Sequence, residues 1–376
     1  MTSTTQQPES SPNNANGIHI AILDDYTTPP LSDAPFQKLL DDCTSRTIPN
    51  LTRPLANYTI HPHTLNTRTP AGLAAAITRL QPYDVICTMR ERTPFPAALL
   101  RALPNLKLLL TTGARNASID LQAAADAGVR VAGTKGSQLL PGFDPTNEQT
   151  WALILAVCKG IAGDDARVKG AADGGWQGGV NIGVAGKTLG VLGLGRLGLQ
   201  CAVTGRLGFG MQVVAWSENL TQERADEAAA TRGLAKGEIR VARSKEEFFR
   251  GADVVSVHYV LSERSRGIVG ASELGWMKES AVLVNTSRGP LVEETALVEA
   301  LKQGKIAGAG LDVFDVEPLG ADSVWRDRGW GRRVVLSPHM GYVEESTMKG
   351  WYEQQADNVR RYLTGEELTG LMTAGK

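Results

Sequence analysis

Arg288, Glu317 and His339 are the residue types that handle an acid and a proton. A guanidinium presents a planar fork that matches a carboxylate. A histidine donates or accepts a proton near neutral pH, and a carboxylate beside it favours the charged imidazolium. Each of the three stands just past an apolar run that reads as a strand: 281–285 before Arg288, 308–313 before Glu317 and 334–337 before His339. The combination suits a 2-oxo acid. Arg288 would grip its carboxylate, His339 would protonate the ketone oxygen and Glu317 would orient His339, while hydride arrives from a nicotinamide. The reverse reaction oxidises a 2-hydroxy acid. Taken singly, Arg288 reads as a salt-bridge partner, Glu317 as a surface residue before Pro318 and His339 as a loop donor. Their shared placement beyond strand ends favours one site over three unrelated roles.

A nicotinamide requires a dinucleotide fold, and Lys187-Thr-Leu-Gly-Val-Leu-Gly-Leu-Gly-Arg-Leu-Gly198 supplies its pattern. An apolar strand runs into the turn Gly193-x-Gly195-x-x-Gly198, and a helix-forming stretch follows. Gly193 permits the tight bend, Gly195 lets backbone approach a pyrophosphate and Gly198 lets the helix pack on the strand. The first helical residues, Arg196 and Leu197, bring N–H groups and the positive end of the helix dipole to the anion. Alone the glycine pattern is weak. Its position between strand and helix gives it weight.

The chain has 376 residues, more than one hydrophobic core usually supports, so two domains are expected. Lys and Arg number 39 against 40 Asp and Glu, and the basic residues are scattered. That argues against nucleic-acid and anionic-membrane partners and for small molecules. Cys43, Cys87, Cys158 and Cys201 lie far apart without metal-type spacing and read as reduced intracellular thiols, so a cytoplasmic location is expected. Residues 1–17, polar and without arginine, read as a disordered tail and not as a targeting segment. No apolar run approaches the length of a membrane span.

Strands are predicted at 18–23, 83–87 and 106–112, with a short one after Gly128, and helical patterns between them. A Gly/Pro-containing loop follows, then a buried helix from Glu148 to Val157. Further strands are predicted at 212–216, 253–257, 281–285, 308–313 and 334–337, mostly separated by helical segments. Such alternation specifies a parallel, doubly wound α/β sheet whose ligand crevice lies outside the carboxyl ends of its strands. The last helix, 344–363, is expected to return to the first domain. The expected division is 18–147 completed by 344–376, and 148–343.

At these residues the chain resembles the D-isomer-specific 2-hydroxyacid dehydrogenase family, over nearly all its length after residue 17. Asn285-Thr-Ser-Arg-Gly-Pro-Leu-Val292, Gly308-Ala-Gly-Leu-Asp-Val-Phe-Asp-Val-Glu-Pro318 and Ser337-Pro-His-Met-Gly341 look like its three catalytic signatures, in order. The resemblance implies a Rossmann-type domain binding NAD or NADP, a smaller flavodoxin-like substrate domain and a homodimer, and the sheet and its chemistry call for no metal. It implies that Arg288 is the substrate arginine, Glu317 the histidine's partner and His339 the acid-base, and that Asp312 holds the nicotinamide carboxamide. Met89-Arg-Glu-Arg-Thr93 and Thr112-Gly-Ala114 look like the family's substrate loops, making Arg90, Arg92 and Gly113 pocket candidates. Glyoxylate and hydroxypyruvate are the expected substrates. Members or folds of this kind also include transcriptional corepressors that sense dinucleotides, and formate and phosphite dehydrogenases; these are the alternative functions.

Three departures stand out. Ser217 occupies the end of the second nucleotide strand, where NAD-preferring members carry an acidic residue, although Glu218 follows; Arg206 and Arg224 are candidates for meeting a 2′-phosphate. The segment 136–146 looks longer than the usual linker, and 231–240 looks like an extra loop. His61-Pro-His63 invites a metal reading but lacks further ligands, so a surface loop is expected. His258 reads either as facing cofactor or as a hydrogen-bonded structural residue, while Trp325, Trp330 and Tyr342 read as core or interface packing.

Overall fold

The computed structural model describes residues 17–135, 144–170, 176–327 and 329–374. The expected tail, apart from Gly17, and residues 136–143 of the long linker lie outside them. Contacts divide the chain into two units. One comprises 17–135 together with the residues from Glu345; the other comprises 144–344.

In the first unit, β1 (Ile18–Leu23), β2 (Leu55–His61), β3 (Val85–Thr88), β4 (Leu108–Thr111) and β5 (Arg130–Gly133) run parallel in the order β5-β4-β3-β1-β2. Leu371–Met372 adds a short antiparallel strand to β5. Numbered along the chain, the parallel order is 2-1-3-4-5, the flavodoxin-like arrangement. Every residue of β3 and β4 is buried, as befits strands covered on both faces. The helix Glu345–Thr364 belongs to this unit because its apolar stripe, Met348, Trp351, Tyr352, Val359 and Leu363, recurs at helical spacing and is buried. Gln355 Nε2 donates to the Thr88 carbonyl at 3.2 Å, and the Leu363 carbonyl accepts from Thr52 N at 2.9 Å.

β2 is absent from the predicted strands. It is the edge strand, and Ala56 and Asn57 are exposed within it, so it lacks a long apolar run. His61 is its last residue and not part of a loop; its ring meets the Tyr83 hydroxyl at 3.2 Å, and burial lowers its pKa. Among the described residues no three His, Cys, Asp or Glu side chains gather to hold a metal ion. None of their helices is long and apolar enough to cross a membrane.

The second unit carries β6 (Thr188–Leu192), β7 (Gln212–Trp216), β8 (Ile239–Val241), β9 (Val254–Val257), β10 (Val282–Asn285), β11 (Gly308–Leu311) and β12 (Val334–Leu336). All are parallel, ordered β12-β11-β10-β9-β6-β7-β8. Counted from β6 this is the 3-2-1-4-5-6 order of a dinucleotide fold with one strand added. Period two sends alternate residues into two cores. Val255, Val257 and Leu283 pack with Phe248, Phe249 and Leu291, whereas Val254, Val282 and Val284 pack with Trp151, Ile154 and Val157. Each fully buried aromatic of this kind contributes about 1.5–3 kcal/mol.

Two boundaries differ from expectation by more than two residues. The buried helix starts at Pro145 and not Glu148, so a domain boundary at 147/148 would cut it. Asp144 caps it by accepting from Thr146 N at 2.9 Å, and Pro145 takes the first position, where its missing N–H costs nothing. The supposed extra loop 231–240 ends inside β8, a three-residue edge strand too short for a periodic signal.

Asp24, just after β1, is 0% exposed and left-handed at φ 65°, accepting from Thr93 Oγ1 at 3.3 Å. Its Oδ2 has no hydrogen-bond partner among the described residues, and burial raises its pKa against the hydrogen bonds of Thr64 and Thr93 and the nearby Arg92 charge. A carboxyl whose folded pKa is raised contributes full stability below its unfolded pKa and loses it as pH rises through the folded value. Asp24→Asn, which keeps an acceptor and tolerates the backbone, should therefore raise the thermal midpoint by a few degrees at pH 8, with the gain vanishing below the ordinary carboxylate range. An equal midpoint for both proteins at pH 8 would contradict the argument.

Candidate active site

Three neighbouring strands, β10, β11 and β12, end side by side, because Asn285 pairs with Leu311 and Leu311 with Leu336. Arg288 lies shortly beyond β10, Asp312 and Glu317 beyond β11, and His339 beyond β12. His339 Nδ1 stands 2.6 Å from Glu317 Oε2. Glu317 Oε1 accepts from Phe314 N at 2.8 Å, which fixes the carboxylate on its own turn. Burial would raise the Glu317 pKa, but the hydrogen bond and charge of His339, the Phe314 amide and the Arg288 charge together hold it below its ordinary value. The structure thus brings Arg288, Glu317 and His339 together on one sheet edge. Arg288 Nη1 also donates to the Ser287 carbonyl at 2.8 Å.

His339 has φ 58°, a left-handed conformation that costs a non-glycine residue energy and persists where its surroundings enforce it. Asp312 does much of the enforcing. It is 1% exposed, and its two carboxylate oxygens accept from Met340 N and Gly341 N, both at 2.8 Å. Burial raises its pKa, opposed by the Ser337 hydroxyl, these two amides and the His339 charge. Gln149 Nε2 donates to Ser337 Oγ at 2.8 Å, tying the same loop to the helix Pro145–Lys159. The Tyr342 ring meets the His339 ring edge-on at 5.5 Å. Sequence reasoning gave Asp312 a cofactor role and passed over Gln149. Gln149 sits in the polar start of that helix among Thr146, Asn147, Glu148 and Thr150, so nothing in the sequence singled it out.

The glycine turn follows β6. Gly193 has φ 97°, and a Cβ there would lie 2.9 Å from the His258 carbonyl. A Cβ on Gly198 would collide with the Gly193 carbonyl, whereas Gly195 faces open space. Two glycines are therefore demanded by protein packing, and the third leaves room beside the first turn of the helix Arg196–Val203. These residues fit a dinucleotide pyrophosphate, with Arg196 and Leu197 contributing first-turn N–H groups that have no acceptor inside the helix. Arg196 pairs with Asp144 at 2.5 Å. Gly193 N donates to the Trp216 carbonyl at 2.9 Å, which sets Ser217 beside the turn. His258 Nε2 bonds Ser256 Oγ at 2.9 Å, and burial pushes its pKa down to about 4, the structural alternative of its two readings. Trp325 is buried, donates to Glu294 Oε2 at 2.8 Å and stacks with Trp330 at 5.3 Å.

On the first unit, Arg90 and Gly113 follow β3 and β4 and are left-handed, at φ 48° and 84°. A Cβ on Gly113 would collide with Arg90 Nη1, so glycine there makes the seat for the guanidinium. Arg90 N donates to Thr112 Oγ1 at 3.0 Å and its carbonyl accepts from Asn116 Nδ2 at 2.5 Å. Arg92 lies over the Tyr26 ring at 4.4 Å.

Residues 151–341 match the family model described as D-isomer specific 2-hydroxyacid dehydrogenase, NAD binding domain. The glyoxylate reductase of Thermococcus litoralis is 33% identical over 274 residues, 71% of this chain and 77% of that protein. The D-3-phosphoglycerate dehydrogenase of Bacillus subtilis is 30% identical over 296 residues, 78% of this chain and 52% of that protein, so the chain spans about half its length. Among solved structures, the phosphoglycerate oxidoreductase of Vibrio cholerae superposes with a TM-score of 0.74 at 30% identity, covering 93% of this chain and 99% of that one. The chain belongs to the D-isomer specific 2-hydroxyacid dehydrogenase family, whose cofactor is NAD or NADP.

Proposed function

We propose that the chain reduces small 2-oxo acids of the glyoxylate or hydroxypyruvate kind to D-2-hydroxy acids with NADH or NADPH. The observation that carries this reading is the Glu317–His339 pair at 2.6 Å on the sheet edge that also bears Arg288. The Arg288 guanidinium holds the substrate carboxylate as a fork, which fixes the distance from that carboxylate to the ketone. Glu317 engages Nδ1 of His339, so Nε2 is the nitrogen that meets the ketone oxygen and gives up its proton. An ionised Glu317 supports the imidazolium before the transfer and sets the tautomer after it. When bound, the reduced nicotinamide supplies the hydride. Asp312 holds the loop that carries His339, alongside the carboxamide role that the resemblance implies. Arg90 and Gly113 are proposed as substrate-binding residues on their own unit.

Relatives named glyoxylate reductase, glyoxylate/hydroxypyruvate reductase and D-3-phosphoglycerate dehydrogenase favour this reading over a corepressor-like sensor or a formate or phosphite dehydrogenase. A homodimer is proposed, supported by Trp176 and Val180, which are 80% and 87% exposed on the nucleotide unit. The four free, buried thiols support a cytoplasmic location.

The direct test follows NADH and NADPH absorbance as the protein meets glyoxylate, hydroxypyruvate, pyruvate and a bulkier 2-oxo acid. Oxidation of either cofactor with the small acids is expected; silence across the panel with cofactor still bound would favour the sensor. Glu317→Gln should lower turnover by about tenfold to a hundredfold while cofactor affinity stays. A rate matching that of the unaltered protein would remove Glu317 from the reaction.

A further inference from the structure

The loop after β7 decides which phosphorylation state of the cofactor fits, because Gly193 N bonds the Trp216 carbonyl and so brings residues 217–220 to the glycine turn. In dinucleotide folds an acidic side chain here accepts the ribose 2′-hydroxyl and repels a 2′-phosphate. This chain has Ser217, a donor without charge. The loop is closed on itself: Leu220 N donates to the Ser217 carbonyl at 3.1 Å, and Glu218 N reaches the Tyr259 hydroxyl at 3.3 Å.

The structure separates the two candidate cations. Arg206 Nε and Nη2 each stand 3.0 Å from Glu238 Oε1, and Nη1 reaches the Met211 carbonyl at 3.5 Å. Met211 precedes the amino end of β7, and a five-residue strand spans roughly 16 Å. Arg206 is therefore at the wrong edge of the sheet. Arg224 is at the right one, for its Nη1 donates to the Asn219 carbonyl at 3.3 Å and its amide to Thr221 Oγ1 at 3.3 Å. One exposed carbonyl is a weak partner for a guanidinium that offers five donors. Of the two carboxylates in the segment, Glu223 is drawn back to its own amide and to Thr221, which holds its pKa below the ordinary value. Glu218 is exposed.

We propose that the ribose end of the crevice admits a 2′-phosphate held by the Arg224 guanidinium and the Ser217 hydroxyl, so that the chain binds NADPH at least as tightly as NADH. This rests on the dinucleotide-dependent reading above and adds the cofactor's identity to it.

Isothermal titration of the full-length protein with NADPH and with NADH, at one fixed ionic strength, tests it without turnover. The expected NADPH dissociation constant equals or lies below that for NADH. Arg224→Ala should raise the NADPH-to-NADH ratio of dissociation constants by about tenfold, the loss of one charge-assisted contact. Ser217→Asp should move the ratio the same way by restoring the repulsion. NADH binding more than about tenfold tighter than NADPH in the unaltered protein, with Glu218→Gln abolishing that preference, would overturn the proposal and give Glu218 the ribose. An Arg224→Ala ratio equal to that of the unaltered protein would overturn it too. Should neither nucleotide bind, the dinucleotide reading fails with it; should NADH bind and be oxidised by a 2-oxo acid while the ratio stays put, only the 2′-phosphate site fails.

Discussion

A parallel sheet buried on both faces has no room for charge in its interior, so its polar chemistry collects at the strand ends. That constraint organises the nucleotide unit. The apolar runs of β6, β9, β10 and β11 feed two cores, and the chain turns polar where each strand stops. Because β10, β11 and β12 are neighbours, three segments distant in sequence deliver Arg288, Glu317 and His339 to one edge. Because β6 lies beside both β7 and β9, the glycine turn sits between Trp216 and His258.

Holding His339 in a left-handed conformation requires interactions that outweigh the strain, and the edge supplies them as a buried network. Asp312 accepts two consecutive amides after the histidine, Gln149 bonds Ser337 before it, and Glu317 takes the ring. A buried carboxylate is expensive unless its oxygens are satisfied. Asp312 meets that requirement with main-chain donors, so the loop's position and the ionisation of Asp312 are linked. The proposed acid-base thus depends on a residue that never has to touch the substrate.

Much of this was legible in the sequence because the strands that matter are continuous apolar runs ended by polar residues. Arg288, Glu317 and His339 could be placed beyond strand ends without any coordinates. The glycine turn was legible for a different reason: Gly193 and Gly198 are excluded from other identities by the His258 and Gly193 carbonyls. Edge elements were not legible. β2 and β8 bury too little surface to leave a pattern, which put His61 and Ile239 in loops. Pairings between distant side chains were equally hidden. Nothing in the spacing of Arg206 and Glu238, or of Arg224 and Asn219, says which arginine is engaged at which sheet edge.

The proposed reaction turns on His339 supplying the proton as hydride arrives. A single turnover tests it most directly: protein loaded with reduced cofactor is mixed with saturating glyoxylate, and nicotinamide absorbance is followed for the unaltered protein and for His339→Gln. The variant is expected to retain cofactor while its hydride transfer slows by at least about a hundredfold. Transfer at the unaltered rate, with cofactor bound, would contradict it.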